Sequence, residues 1–306
     1  LLHSAPLVWE YAHAAGYDGA YWTSQNLLFA NSGLWLEGIP ASKRVSATQV
    51  EADAAYEVGA DDGKLVTYVL NDISALKEPY LGVIHLSNTH YPYKIDDDDC
   101  PFVRESEEQK RGDNDWVLSR YRDAVRLQDR AVGRFLTEFK KRPEASRTAI
   151  VFVSDHGEQL REKGLTGHTF TLFDPEIRIP FWIDAPPGLL TADEQSHLAL
   201  AKNAPVTALE VMPTVLDLLG IWNAPAIAPL QKRITGTSLL RGLPDPERSV
   251  VMTNCTELWA CAYKNWGGMK GTKKIFGSSS HRGWGCFDVA TDPNEEHDLG
   301  AEACGP

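Results

Sequence analysis

Cysteine is scarce in this chain and poorly spaced for metal binding. Five occur in 306 residues and none forms a Cys-x-x-Cys pair, which excludes zinc sites of the finger or ribbon type. Four of them (Cys255, Cys261, Cys286 and Cys304) crowd towards the C-terminal end, a spacing that permits one or two disulfides in an oxidising compartment. Basic charge is also short. Lys and Arg total 30 against 42 Asp and Glu, a formal net charge of −12. That balance excludes a non-specific nucleic-acid binder, which needs basic patches, and disfavours adsorption to an anionic membrane. The acidic surplus reads first as a solvated, soluble surface. There is no run of about eighteen apolar residues, so nothing here spans a bilayer. Internal repeats and low-complexity tracts are missing too. The acidic run Asp96 to Asp99 lacks the interleaved ligands and glycine of a calcium loop. Asn254-Cys255-Thr256 is a glycosylation sequon, which matters only in a secreted eukaryotic protein.

What is present is an ordinary globular composition, 43% hydrophobic, enough for one large α/β domain or two smaller ones. Residues 5 to 15 have helical character, and Tyr17 to Trp22 reads as a short strand. Residues 24 to 60 are loop-rich. Asp61 and Asp62 cap a helix running to about Leu76, with Leu65, Val66, Val69, Leu70 and Ile73 at helical spacing. Leu81 to Leu86 is a second buried strand. The clearest helix covers 115 to 140, with Leu118, Tyr121, Val125, Val132, Phe135 and Phe139 as its apolar stripe. Strands at 148 to 154 and 179 to 183 follow, then a helix from Val206 to Leu219 that Pro213 kinks or restarts. Strands alternating with helices predict βαβ units and a mainly parallel sheet sandwiched by helices. Beyond about 245 come short strands with Gly-rich turns. The expected organisation is an α/β domain over 1–245 and a small β-rich subdomain over 246–306.

The most informative stretch is TAIVFVSDHGE at 148–158. A β-branched apolar run ends abruptly in Ser154, Asp155, His156, Gly157 and Glu158. Open α/β sheets bind ligands at the C-terminal tips of their strands. A carboxylate beside an imidazole is a standard pair of divalent-metal donors. The plain alternative is a polar strand-end turn in which Gly157 supplies an unusual backbone angle. His90 follows a buried strand and precedes Tyr91-Pro92, while His168 lies between Gly167 and Thr169. Alone, each reads as a structural or exposed loop histidine. Glu158 reads as a partner orienting a ligand or as a helix cap. His85 falls inside a strand as a packing residue, and His281 and His297 are surface residues.

Four stretches, in order, resemble the sulfatase branch of the alkaline phosphatase superfamily. They are the Ser-Asp-His-Gly-Glu run with His168 downstream, Ile84 to Tyr93, Val211 to Gly220, and Cys286 to Leu299 with its Asp292-Pro293. The resemblance implies an alkaline phosphatase-like fold and a metal-dependent sulfuric ester hydrolase. It implies Asp155 and His156 as ligands of a divalent ion (manganese, zinc or calcium), and His90 and His168 as residues that contact the anion or protonate the leaving oxygen. It also places an anion-binding lysine on a late strand, among Lys264, Lys270, Lys273 and Lys274, each of which reads alone as a solvated surface residue. One departure matters. The acidic ligands of the first strand and the nucleophile, often in a Cys/Ser-x-Pro-x-Arg setting, are not found. The chain opens at Leu1 in a segment resembling the helix after the nucleophile. The expectation is therefore a C-terminal portion whose nucleophile lies upstream; whether this portion is active by itself is not legible.

The expected substrate is a small-molecule, lipid or glycan sulfate or phosphate ester, and the expected location is periplasmic or extracellular. A membrane anchor outside this stretch is compatible with that. Two further readings stand beside the sulfatase. One is a phosphoryl-group enzyme of the same superfamily, either a phosphonate or phosphodiester hydrolase or a phosphoethanolamine or glycerol-phosphate transferase. The Asn88 to Tyr93 turn and Gly59-Ala60-Asp61-Asp62 lean that way. The other is a non-catalytic relative that binds a lipid or partner protein. Oligomeric state is not legible.

Overall fold

The structure is a computed structural model that describes residues 6–103, 114–245, 247–254, 265–278 and 283–305. Lys264, His281, Cys255 and Cys261, and part of the sequon, lie outside the described residues. Packing divides the chain into two compact units. One holds Leu1–Thr148 and Val211–Gly236, the other Ala149–Glu210 and Thr237–Pro306. The β-rich segment expected after 245 thus groups with residues 149–210.

The first unit is built on a parallel sheet of β1 (Asp18–Thr23), β2 (Lys43–Val45) and β3 (Tyr80–His85), in the order β2-β1-β3. β1 is central and nearly all buried, as a strand paired on both edges should be. Trp22 sits opposite Val45 and Ile84, and its indole N–H donates to Asp72 at 2.8 Å. The helix Asp62–Asp72 starts where expected, with the Asp61 side chain accepting from the Lys64 N–H at 2.8 Å, a standard N-cap. Leu65, Val66 and Val69 are its buried face.

That helix packs on the long helix Asn114–Phe139, whose stripe differs from the expected one. Val117, Ala124, Ala131 and Phe139 are buried, while Val125 is 40% exposed. The buried face thus includes small as well as large residues. The helix around Pro213 begins at Val211, not Val206. Pro213 therefore occupies the first turn, where its missing N–H leaves no bond unmade. Leu216 of this helix joins Tyr11, Ile221 and Ile227 in one apolar cluster.

The second unit opens with β4 (Ile150–Val153), followed by β5 (Gln159–Leu160), β6 (Thr166–Gly167) and β7 (Phe181–Asp184). β4 pairs antiparallel with β7, and β5 with β6. The expectation of a fully buried parallel strand at 148–154 is thus corrected. β4 is half-buried and Val153 is 39% exposed, because a two-stranded ribbon covers its own faces poorly. β8 (Val250–Asn254), β9 (Asn265–Lys270), β10 (Lys273–Ser278) and β11 (Trp284–Asp288) form an antiparallel meander in the order β11-β10-β9-β8. Phe276 and Phe287 of this sheet cluster with Leu172 and Phe173. Cys286 is bonded to Cys304, 18 residues on. No helix among the described residues is long and apolar enough to cross a membrane.

Candidate active site

In the second unit, the tip of β4 carries Asp155 and His156. Ser154 Oγ donates to the His156 carbonyl at 2.7 Å, which turns the chain sharply. Gly157 follows for reasons of space and not of backbone angle. A Cβ there would lie 2.1 Å from the Pro175 carbonyl oxygen, and the Gly157 N–H donates to the Glu176 carbonyl at 2.8 Å. The His156 Nδ1 lies 2.8 Å from the Gly157 carbonyl. A carbonyl only accepts, so Nδ1 carries the proton and Nε2 keeps the lone pair. That Nε2 stands 3.6 Å from Asp155 Oδ2, so two donor atoms suited to one cation are side by side.

His168 arrives from the short hairpin. Its ring stacks on His156 with centroids 3.7 Å apart and 28° between planes. Its Nδ1 is 3.2 Å from Glu158 Oε1, and Glu158 is 6% exposed. Glu158 is therefore an orienting partner and caps no helix, since β5 follows it. The backbone around His168 is unusual. Gly167 has φ +101 and Thr169 φ +83, the latter an uncommon conformation for a β-branched residue. Glu176 pins this turn. Buried at 2% exposure, it accepts from the N–H groups of Phe170 and Thr171 at 3.1 and 3.0 Å and from Asn254 Nδ2 at 3.1 Å.

His90, in the first unit, sits just past β3. Its N–H donates to the Ser87 carbonyl at 3.0 Å, and its Nδ1 is 2.6 Å from the Tyr91 carbonyl. Tyr91-Pro92 is a cis peptide. The segment leading to His90 is fixed by Asp62, which is 2% exposed. Its carboxylate accepts from Ser24 Oγ at 2.6 Å, from the N–H groups of Ser87 and Asn88 at 3.2 and 3.3 Å, and from Gln128 Nε2 at 3.1 Å. Burial pushes the Asp62 carboxyl above the ordinary aspartate range, against those four donors. Asn88 returns the contact, its Oδ1 accepting the Asp62 N–H at 2.7 Å. Gly59 is required beside this knot: at φ +67, a Cβ on it would lie 1.8 Å from the Ser24 carbonyl oxygen. The segment from Gly59 to Asp62 is thus accounted for by packing on the end of β1. His85 has the packing role expected of it, with Nδ1 3.1 Å from the Tyr21 hydroxyl and 2.9 Å from the Thr23 hydroxyl.

Three of the four expected lysines are described, and each is paired. Lys274 is fully buried, 2.6 Å from Asp174 and 2.5 Å from Glu295. Lys270 meets Glu247 at 3.5 Å and Lys273 meets Asp288 at 3.2 Å. Lys274, read from sequence as a solvated or anion-binding residue, is instead the cation of a buried ion cluster. Glu176 and Asp62 are the residues that sequence reading missed. Asp62 carried a faint signal, as a second acid directly after a capping Asp, where one suffices.

The chemistry of Asp155 and His156 fits a divalent ion as two of its ligands: hard carboxylate oxygen beside an imidazole lone pair. Among the described residues no group of three or more His, Cys, Asp or Glu is arranged around one point for a metal.

Residues 2–221 match a family described as Sulfatase. A sulfatase of Formosa agariphila is 33% identical over 107 residues, which are 34% of this chain and 19% of the relative. An endo-4-O-sulfatase of Bacteroides thetaiotaomicron is 24% identical over 182 residues, 54% of this chain and 34% of the relative. The chain therefore spans about a fifth to a third of the length of these relatives. Among solved structures, a protein in complex with its substrate D-glucosamine-2-N,6-O-disulfate has a TM-score of 0.67 at 16% identity, covering 98% of this chain and 78% of that one. A protein of the alkaline phosphatase superfamily from Vibrio parahaemolyticus has a TM-score of 0.61 at 15% identity, covering 99% and 65%. At these identities the likeness is one of fold, and the fold is alkaline phosphatase-like.

Proposed function

The chain belongs to the sulfatase family, and from that premise we propose that the protein hydrolyses sulfate esters with a divalent ion held in part by Asp155 and His156. The observation that carries this reading is the pair of stacked imidazoles, His156 on His168 at 3.7 Å, beside a carboxylate and on a second one. The Asp155 carboxylate is 75% exposed and so open to a ligand, while Glu158 beneath His168 is 6% exposed and fixes that ring.

A bound manganese, zinc or calcium ion would neutralise charge on the sulfuryl oxygens and favour the ionised form of the attacking group. The residues assigned here do not include that attacking group. His168, steadied by Glu158, hydrogen-bonds a sulfuryl oxygen. His90, in the first unit, is proposed as a proton donor to a leaving oxygen: with its Nδ1–H held by the Tyr91 carbonyl it donates from Nε2 only as the imidazolium, and the electron pair of the broken ester S–O bond stays on the alcohol oxygen that takes the proton. Water supplies the oxygen that ends on sulfur and the proton that restores the imidazolium, so one ester and one water give one alcohol and one hydrogensulfate. An imidazole suits this exchange because its ordinary pKa is near neutrality. The Cys286–Cys304 disulfide supports a periplasmic or extracellular location.

The test is metal content by mass spectrometry together with turnover of p-nitrophenyl sulfate, phosphate and phosphonate esters. The expected result is preference for the sulfate, with Asp155→Ala losing both metal and turnover. If the full-length, metal-loaded protein turns over none of the esters and Asp155→Ala keeps its metal, the reading fails. Preference for phosphate or phosphonate would move the activity to phosphoryl transfer.

A further inference from the structure

The β8–β11 meander of the second unit has two faces with different duties. Side chains alternate along a strand, and directly paired residues share a face. Phe276 and Phe287 face inward, onto Leu172 and Phe173. Asn265 lies on that inward face too, and its Nδ2 donates to the Thr169 carbonyl at 3.3 Å. The inward face thus backs the turn that carries His168. Cys286 points outward, and its disulfide ties the short helix Ala301–Cys304 to one end of the outward face. At the other end the register sets two tryptophans in one row. Trp266 of β9 is paired with Gly277 of β10, and Gly277 with Trp284 of β11. Trp266 is 55% exposed and Trp284 52%. Val251 of β8, opposite Gly268 on the same face, is 78% exposed.

Gly277 decides how Trp284 lies. A Cβ there would meet Cδ2, Cε2 and Cε3 of Trp284 at 3.1, 3.2 and 3.5 Å. Near-equal distances to three atoms of the fused rings put the indole face, not its edge, over the glycine. The opposite face of that indole is turned to solvent. The backbones of Trp266 and Trp284 are two strand spacings apart, about 10 Å. Two half-exposed indoles and one valine offer on the order of 300 Å² of apolar surface. A stable protein interface takes about 800 Å² from each partner, so a second copy of the chain is a poor fit. Charge is not what the row offers either, since Lys270 and Lys273 farther along this face are paired with Glu247 and Asp288.

We infer that Trp266 and Trp284 form a platform that binds a neutral saccharide chain, with the C–H faces of its pyranose rings laid on the indoles. Ring C–H groups carry partial positive charge and meet the negative face of an aromatic ring favourably. A single aryl group would cover one indole, whereas consecutive rings of one chain reach both. An alkyl chain would need a groove that encloses it, and this row is flat. The platform lies on the sheet face opposite the His168 turn, so the saccharide it holds is an anchor and not the reacting ester. Anchoring one part of a polymer raises the local concentration of the rest. This goes beyond the sulfatase reading and does not depend on it.

Calorimetric titration and tryptophan fluorescence of the full chain test this with cellohexaose, chitohexaose and mannohexaose, and with sorbitol as an open-chain polyol. At least one hexasaccharide should bind and change the indole emission, and sorbitol should not. Trp266→Ala and Trp284→Ala should each weaken that binding about fivefold, in the range of one aromatic contact. Trp284→Phe keeps a ring face and should keep most of the affinity, which separates lost stacking from misfolding. Gly277→Val leaves both indoles but lifts Trp284 off the sheet, and should weaken binding as Trp284→Ala does. No binding of any hexasaccharide, equal binding of sorbitol, or full affinity in both alanine variants would overturn the platform. So would a dimer in sedimentation that Trp266→Ala dissolves, which would give the face to a second copy. Binding is read without metal or turnover, so failure of the hydrolase reading and failure of the platform are separate results.

Discussion

At the scale of single residues, two buried carboxylates act on histidines they do not replace. Glu158 holds the Nδ1 of His168, and such partners of active imidazoles affect affinity or activity by about 10–100-fold. Glu158→Gln should therefore lower p-nitrophenyl sulfate turnover by that factor while leaving the melting temperature within a few degrees, and an unchanged rate would remove Glu158 from the site. Asp62 acts on the His90 segment through four donors. Asp62→Ala takes the acceptor from the Asn88 N–H, while the Ser24 hydroxyl and the Ser87 N–H keep each other, and should cost about 1–3 kcal/mol. Asp62→Asn fills the space and accepts on one oxygen, so it should cost less, and urea midpoints would show the order. The pH sign follows from burial. The Asp62 carboxyl is raised in the fold, so its contribution is fully present below its unfolded value and is lost as pH rises through the folded one. Asp62→Asn should remove that pH dependence.

At the scale of elements, the turns matter more than the strands. Gly157→Ala should cost about 2–4 kcal/mol, since a Cβ 2.1 Å from a backbone carbonyl forces the turn bearing His156 to move. A circular dichroism melt would register it. Glu51 joins three pieces of the first unit, accepting from Lys64 Nζ at 2.6 Å and the Asp61 N–H at 3.0 Å, with Lys94 at 3.5 Å. The Lys64 bond leads in pulling its carboxyl down to about 2. A lowered folded value means that stability is present above the unfolded value and lost as pH falls from about 4.5 towards 2. Screening of the exposed Lys64 keeps the effect small, and Glu51→Gln should flatten the acid limb of the stability profile. The elements also show what sequence could reveal. β1, β3 and β4 were legible as apolar runs, and Asp155, His156 and His168 as a motif. β2 was not, because three residues leave no periodicity. β7 was legible as the strand at 179 to 183, but its antiparallel pairing with β4 was not, since pairing depends on contacts between segments some thirty residues apart. Val125 was assigned to the apolar stripe, whereas it is 40% exposed and Ala124 and Ala131 are buried instead. Glu176 and Asp62 escaped because their meaning lies in donors supplied by distant segments.

At the scale of the whole molecule, covalent and ionic ties hold the β-rich end, and net charge governs approach. The Cys286–Cys304 bond closes a loop of 18 residues, worth about 3 kcal/mol, so Cys304→Ser should lower the urea midpoint of the second unit. Lys274 lies between Asp174 and Glu295 at zero exposure, and burial leads in raising the Glu295 carboxyl. Lys274→Met strands two acids and should cost about 3–5 kcal/mol. Adding Glu295→Gln removes one stranded charge and should recover part of that loss, an order that a plain packing defect would not produce. If the proposed sulfate ester is the substrate, the charge of −12 carried by these 306 residues has a kinetic consequence, because the substrate is then itself an anion. Like charges repel over about 8–10 Å at physiological ionic strength and farther at low salt, so the summed field slows encounter with a sulfate ester. Salt relieves repulsion between exposed charges much more than it weakens contacts inside a partly buried site. Apparent kcat/KM for p-nitrophenyl sulfate should therefore rise between about 10 and 150 mM NaCl, and a neutral ligand of the same size should show no such rise. If kcat/KM instead falls steeply with salt, attraction by a local basic patch outweighs the molecular charge, and approach is governed by the site's own cations.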